Sequence, residues 1–467
     1  MAMSFYPKEG EPLWSKYSTA AVIHTMKVYS RLSFDYPYPV AQSVNGPVGG
    51  MEYPMITFNG PRTDPHEDGD RTYTRGEKEF LIGVVIHEVG HIYFPMTVNS
   101  DERQWTWMDE GINTFLQFIA ESEWGEGMRP DRGEPRWITD YMTSSNQAPI
   151  MTNSESILQF GNNAYAKPAT ALVILRETIL GRELFDFAFR EYANRWKFKR
   201  PTPADLFRTL EEASGVDLDW FWRGWFYSTD HVDVSLDRVH HMRVDTSNPD
   251  VEEAWNREQH EDAPRSRTQV YNERDGITDR EDRMPDLRDL YSENDEFTVT
   301  DKDRNEFDDF LEGLEDELHA DPEWMRRVYD RAVEEDLNYY VLEFSNLGGL
   351  VMPIILGITY ADGSEEVLRI PAEIWRRNHA EVNKLLIREQ EITQIVVDPY
   401  WETADADVEN NHYPRRFVPS RIELYKRKRD ERNLMSDLRV ERKEDTPDAD
   451  GAPADPGERA VPMTEGG

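Results

Sequence analysis

The sequence predicts an α+β multidomain chain, mainly α-helical in its first half and followed by a β-sandwich module. Three observations carry this expectation. Apolar residues recur at helical spacing in several long stretches of the first half. Short alternating runs punctuated by turn residues dominate from Tyr339 onward. Between them lies a stretch dense in charge of both signs and poor in apolar residues. The organisation expected from these shifts is a helical domain at 1–244, an acidic linker or helical insert at 245–336, a β-sandwich module at 337–427 and a disordered tail at 428–467.

Trp14 to Arg31 predicts a helix whose apolar face holds Ala20, Ala21, Ile23, Met26, Val28 and Tyr29. Phe34 to Val48 is broken by proline and glycine and leads into a Gly-Gly turn. Met51 to Phe58 is strand-like, and Pro54 within it implies an edge position. Pro61 to Asp70 predicts a polar loop. Thr74 to Tyr93 and Trp107 to Ser122 predict two helices, with Pro95 halting the chain after the first. Lys167 to Leu180 predicts a helix with Pro168 in its first turn and Gly181 as its stop. Arg182 to Trp196 predicts another, and Thr202-Pro203 a capped start closed at Gly215.

Val232 to Val244 alternates as a strand does. Glu306 to Leu318 and Trp324 to Val333 predict exposed helices in the insert. The later strands are expected at Tyr340 to Phe344, Leu350 to Tyr360, Glu365 to Ile370, Lys384 to Ile387, Ile392 to Val397 and Arg421 to Tyr425. Asp362-Gly363 supplies a hairpin turn between the second and third of these. About ninety residues with that strand count suit a β-sandwich.

A chain of 467 residues can bury a sizeable core in two or three domains. It has no cysteine, which excludes disulfides and thiolate metal sites. A net charge of −38 argues against nucleic acid and anionic membranes as partners. It favours solubility and could attract cationic groups such as free peptide amino termini; a solvated acidic surface, as suits a saline habitat, is the preferred account. No apolar run reaches the length of a membrane-spanning helix. The first ten residues lack the apolar core of a signal peptide. The compartment therefore stays open, since a longer chain with an upstream export signal would be periplasmic or secreted.

The densest chemistry lies between Gly83 and Ala120. His87-Glu88-Val89-Gly90-His91 puts two imidazoles one helical turn apart on one face, where both reach a single zinc ion. Glu88 between them is placed to hold a water. Glu110 is the candidate third ligand, leaving one position open. The alternative is a helix with packed core histidines. It is disfavoured because unpaired buried polar groups are costly. The other nine of the eleven histidines show no ligand spacing, and His240-His241 would point to opposite faces of a strand.

His87-Glu88-x-x-His91, eighteen residues and then Glu110 resemble the zinc signature of the M1 aminopeptidases. Gly49-Gly50-Met51-Glu52-Tyr53 resembles that family's exopeptidase motif, with Tyr53 where asparagine is usual. Tyr165-Ala166-Lys167-Pro168 resembles its catalytic-tyrosine segment. Order and separations agree, and the resemblance covers roughly the first half of the chain. Residues 337–427 resemble a C-terminal module of some bacterial relatives. The resemblance implies a thermolysin-like catalytic domain at 1–244 and one Zn²⁺ per chain. M1 enzymes normally carry an N-terminal β-domain, and this chain begins close to where the catalytic domain would begin.

On that footing the expected metal ligands are His87, His91 and Glu110, and the catalytic residues Glu88 and Tyr165. Glu88 would move a proton from water to the leaving amine. Tyr165 would donate to the developing oxyanion, a role typically worth about 10²–10³ in rate. The substrate-binding residues are Gly49, Gly50, Met51 and Glu52, with Glu52 pairing the substrate's α-ammonium. The two glycines let the backbone approach the substrate. Asp109 either tunes the metal or caps its helix. Peptides with free amino termini are the expected partners. A thermolysin-like endopeptidase and a non-catalytic M1-like scaffold, inactive for want of the N-terminal domain, are the competing readings. Oligomeric state is not read from the sequence.

Overall fold

The computed structural model describes residues 1–63, 71–125, 127–130, 132–317, 323, 324, 327, 331, 337–416 and 431–444. The chain opens with β1 (Ala2–Phe5), followed by α1 (Leu13–Leu32), β2 (Ala41–Asn45), β3 (Gly50–Tyr53) and β4 (Ile56–Asn59). These strands form one sheet in the order β1-β2-β4-β3, with β3 antiparallel at the edge. The expected strand from Met51 to Phe58 is therefore two strands. Pro54 sits in the turn between them, where it costs no ladder hydrogen bond, and Met55 takes a left-handed φ of 65°. The edge position itself holds for Met51 and Glu52.

Two helices form the centre of the first half. α2 (Arg75–Gly90) starts at a capping box in which Thr74 Oγ1 accepts from Glu77 N and Glu77 Oε2 accepts from Thr74 N. Such a cap contributes about 1 kcal/mol. α3 (Thr106–Trp124) buries thirteen of its nineteen residues. Both are embedded in a core of large side chains including Trp14, Tyr29, Trp107 and Phe115. Each such burial is worth roughly 1.5–3 kcal/mol. α4 (Thr139–Met142) follows, and then a continuous helical stretch. It runs from a π-helical segment, Gly161–Ala166, through α5 (Lys167–Ile174) into a second π segment, Leu175–Ile179. Pro168 lies in the first turn of α5, as expected, and α5 continues directly from the π segment. The wider π turn before it accommodates a residue that has no N–H to donate. α6 (Arg182–Trp196), α7 (Pro203–Ser214) and α8 (Asp219–Tyr227) complete the helical part, with Gly215 left-handed after α7.

β5 (Val234–Met242) falls inside the segment expected to be the first domain, yet it pairs antiparallel with β6 (Asn338–Asn346), across the insert. Period-two alternation identifies a strand but not its partner. β9 (Glu381–Arg388) flanks β6, giving a three-stranded sheet. β7 (Ile354–Tyr360), β8 (Glu365–Ile370), β10 (Ile392–Val397) and β11 (His412–Tyr413) form a second sheet, in the order β11-β10-β7-β8. The apolar faces of the two sheets share one core containing Leu236, Tyr340, Phe344, Leu356 and Ile395. This module rests on α8: Trp225 Nε1 donates to Met352 Sδ, and Leu350 packs over Gly224.

Between β5 and β6 the chain forms α9 (Pro249–Asp262), α10 (Arg267–Arg274), α11 (Arg280–Arg283), α12 (Leu290–Glu293) and α13 (Asp301–Glu317). The first four bury no residue. Ion pairs within the insert, Arg257–Asp295 and Arg304–Asp250, tie it to itself. Residues 431–444, expected in a disordered tail, include a helix at Leu434–Glu444, and Glu431 Oε1 accepts from Gly76 N at the start of α2. That contact places a carboxylate at the positive end of a helix dipole. The expected strand at Arg421–Tyr425, most of the expected helix at Trp324–Val333, the loop residues 64–70 and the tail beyond 444 lie outside the described residues. Among the described residues no helix is long and apolar enough to cross a membrane.

Candidate metal centre

α2 and α3 cross so that three side chains meet. His87 Nε2 lies 3.0 Å from His91 Nε2 and 3.1 Å from Glu110 Oε2, and His91 Nε2 lies 3.3 Å from the same carboxylate oxygen. A tetrahedral ion with bonds of ~2.0–2.1 Å separates its ligands by about 3.3 Å. The triangle of donors therefore has the size of one face of a zinc site, and zinc fits it. Two imidazoles and a carboxylate with a fourth position open are the donor set of a catalytic zinc centre.

The outer nitrogens of both rings are also engaged. His87 Nδ1 is 2.8 Å from Gln117 Oε1. His91 Nδ1 is 2.9 Å from Asp109 Oδ1 and 3.1 Å from the Phe94 carbonyl. Such partners fix ring orientation and raise ligand basicity. Asp109 is thus turned toward His91, and α3 begins three residues earlier, so it is no helix cap. Asn113 Nδ2 donates to the His87 carbonyl, and its own side chain accepts from Tyr29. Sequence reasoning missed Gln117 and Asn113. The available signal was a polar stripe, Glu110-Asn113-Gln117-Glu121, along a buried and otherwise apolar helix.

Glu88 projects from α2 beside this triangle, and its Oε2 is buried without a hydrogen-bond partner. Unpartnered buried carboxylate oxygens are costly, and they point to a ligand, here water or substrate. Burial pushes the Glu88 carboxyl up to about 8; His91 opposes this, and Glu52, Glu110 and Asp109 add to it. Burial also works against the Glu110 carboxylate, yet hydrogen bonds from His87 and His91 hold it well below its ordinary range. Burial and the charge of His91 lower His87. A dication at the three donors becomes the largest charge in the site and favours the ionised form of every carboxylate around it.

Glu52, on edge strand β3, has a carboxylate oxygen within 4.8 Å of ligand atoms of Glu88 and His91. Gly50, also on β3, packs directly on α2: a Cβ there would lie 2.1 Å from Glu88 Oε1 and 2.6 Å from Val84 Cγ2. Gly49 has nothing within 4 Å of its Cβ position. Gly50 thus leaves the space that Glu88 and Val84 occupy. Met51 is exposed and paired with Phe58. Tyr53 is exposed, its ring edge-on to Phe58.

Tyr165 lies in the π segment before α5. Its ring stacks on His87 at 5.8 Å and 20°. Burial and the nearby Glu110 raise its hydroxyl well above the ordinary tyrosine value. The segment comes this close because α3 carries Gly111 next to Glu110; a Cβ at Gly111 would lie 2.5 Å from Pro168 Cγ and 3.0 Å from the Ala164 carbonyl. An open cavity of about 570 Å³ runs along α2 past His87, Glu88 and Tyr165 to Arg132 and Trp137.

Residues 17–225 match the peptidase family M1 domain. Glutamyl aminopeptidase of Sus scrofa is 26% identical over 226 residues, covering 45% of this chain and 23% of that protein. Aminopeptidase 2 of Candida albicans is 25% identical, covering 46% and 24%. Leucine aminopeptidase 2 of Neosartorya fischeri is 26% identical, covering 39% and 30%. The chain spans less than a third of the length of these relatives. Among solved structures, an M1 zinc metallopeptidase from Deinococcus radiodurans aligns with 47% of this chain and 46% of its own, at 18% identity and a TM-score of 0.38. Aminopeptidase A of Legionella pneumophila covers 83% of this chain and 33% of its own, at 14% identity and a TM-score of 0.46. Over residues 17–225, a little under half of the chain, the sequence is thus similar to a peptidase family M1 domain, and that similarity supports a zinc metallopeptidase.

Proposed function

We propose that the chain is a zinc-dependent aminopeptidase that hydrolyses the N-terminal bond of peptides, with Glu88 and Tyr165 as its catalytic residues. The single observation that carries the exopeptidase reading is the position of Glu52. Its carboxylate shares a group with Glu88 and His91 whose ligand atoms all lie within 4.8 Å of one another. A substrate ammonium paired with Glu52 sits next to the metal centre, so only the first peptide bond reaches Glu88. The relatives matched over this domain are named as aminopeptidases, which supports the same reading.

Zinc, when bound by His87, His91 and Glu110, polarises the scissile carbonyl and acidifies water. The remaining work belongs to side chains. Glu88, with one oxygen unpartnered, accepts a proton from the attacking water and passes it to the leaving nitrogen. The Tyr165 hydroxyl donates to the oxyanion as it forms. Glu52 holds the ammonium and sets the register of the cut. We propose the same positions, with Gly49, Gly50 and Met51, as the substrate-binding strand, since β3 is an edge that a peptide can extend.

The test is hydrolysis of aminoacyl-p-nitroanilides by the purified chain, beside their N-acetylated forms, Glu88→Gln and metal analysis. One zinc per chain, cleavage confined to free amines, and a loss of about 10²–10⁴ in the variant are expected. Equal cleavage of acetylated substrates would overturn the aminopeptidase reading in favour of an endopeptidase. Zinc binding without any cleavage favours the scaffold reading.

A further inference from the structure

We propose that Arg132 is a positioning residue that holds and polarises the Tyr165 phenol; this rests on the aminopeptidase reading and deepens it. The Arg132 guanidinium carbon lies 4.7 Å from the centroid of the Tyr165 ring. The same ring stacks on His87 and meets the edge of Phe160 at 6.1 Å and 63°. The phenol is therefore held by a metal-ligand imidazole, an aromatic edge and a cation. The guanidinium thus sets its charge over the ring.

The placement is built into the backbone. Gly125, Gly127 and Gly133 all take left-handed φ, at 89°, 70° and 104°. They turn the chain back from the end of α3. Gly133 then packs on α3 so closely that a Cβ would lie 2.6 Å from Phe118 Cδ2. The residue beside Arg132 is thus pinned to the helix that carries Glu110. Arg132 Nη2 also lies 3.9 Å from the Cβ position of Gly161, where the π segment bearing Tyr165 begins. One loop, anchored on α3, reaches across the cleft to the tyrosine.

A cation over a phenol face draws on the ring's electron density and makes the hydroxyl a stronger donor. That gain is realised when an oxyanion forms, not when substrate binds. Loss of the guanidinium should therefore appear in kcat and leave KM in place.

The experiment is a double-mutant cycle on an aminoacyl-p-nitroanilide with Arg132→Gln, Arg132→Lys and Tyr165→Phe. Arg132→Gln is expected to lower kcat about 5–20-fold, the range a partly desolvated cation–π contact spans, with KM unchanged. Arg132→Lys keeps the cation and is expected to recover most of the rate. In the Tyr165→Phe background Arg132→Gln is expected to have little further effect, because both act through one hydroxyl. A rise in KM at constant kcat, or an equal loss in both backgrounds, overturns the proposal. A crystal structure of the Arg132→Gln variant gives a readout apart from turnover: the Tyr165 ring is expected to shift from its stacking on His87. A ring that keeps its place together with an unchanged kcat also overturns it. Failure of the underlying reading is distinguishable, because then the wild type does not cleave or Tyr165→Phe keeps its full rate.

Discussion

Gly50 and Glu88 approach so closely that a Cβ on Gly50 would stand 2.1 Å from Glu88 Oε1. The edge strand and the metal-centre helix are therefore in register through one missing methyl group. The contact fixes Glu88 from above while its other oxygen stays unpartnered. Gly50→Ala is expected to push the Glu88 carboxylate aside and lower kcat about 10²-fold, the scale of an ångström-level misplacement. Zinc content should not change, because none of His87, His91 and Glu110 is among the nearest atoms that a Cβ on Gly50 would meet. Steady-state kinetics with metal analysis checks both halves; an unimpaired Gly50→Ala would mean that Glu88 can swing without cost.

Metal affinity should depend on residues that never touch the metal. Gln117 and Asp109 orient His87 and His91 through their outer nitrogens. Gln117→Leu and Asp109→Ala are each expected to weaken zinc binding about 10–100-fold. Competition with a chromogenic chelator measures this directly. If both variants hold zinc as tightly as the wild type, backbone packing alone orients the rings.

The parts of this site legible in the sequence are those set by a helix's own periodicity. His87 and His91 share a face at any helical position, and Glu110 follows at the start of the next long helix. What escaped detection depends on contacts between distant segments. Pro54 looked like a residue of an edge strand because the β3–β4 hairpin is recognised only once its two arms pair. The strand at 234–242 shows its period but not that its partner lies beyond the insert. The π turn at Tyr165 is followed by a proline that packs against Gly111 of another helix, a contact no local pattern encodes. Gln117 faces His87 for a similar reason: its partner is thirty positions away.

Lys167 gives the fold a dependence on pH. It is fully buried, and its amine donates to Gln147 Oε1, with no carboxylate in contact among the described residues. Burial pushes it down to about 7, with Asp230 opposing. The unfolded chain holds this proton up to about 10.4. Below pH 7 both states are protonated, and the fold bears the full cost of a buried cation. Between about 7 and 10.4 only the unfolded state keeps the proton, so stability rises with pH across that window. The gain is on the order of 4 kcal/mol. Lys167→Met removes the effect, so its stability relative to wild type is expected to be greatest at pH 6 and to fall by pH 9. Urea denaturation of both proteins at the two pH values checks this. A difference that does not change with pH would mean the amine stays charged in the fold.

The insert between β5 and β6 should be dispensable for folding. Met242 at the end of β5 stands opposite Tyr339 at the start of β6, so the excursion leaves and returns at neighbouring points of one ladder. Its helices α9 to α12 bury no residue, and its pairs Arg257–Asp295 and Arg304–Asp250 are internal. Exposed pairs of this kind are screened by solvent and contribute little to stability. Closing the gap with a short glycine-rich turn replaces a long loop by a hairpin connection, which lowers the entropy cost of bringing the strands together. Replacement of residues 247–336 by such a turn is expected to leave cooperative unfolding intact and Tm within about 4 °C of the parent, the shift that roughly 1 kcal/mol produces in domains of this size. Zinc binding and turnover should be retained, since among the described residues none of the insert lines the cavity beside His87 and Glu88. Calorimetry with the anilide assay decides it. A variant that folds but loses activity would assign the insert to substrate access, and one that no longer unfolds cooperatively would show that the β5–β6 ladder needs the insert to form.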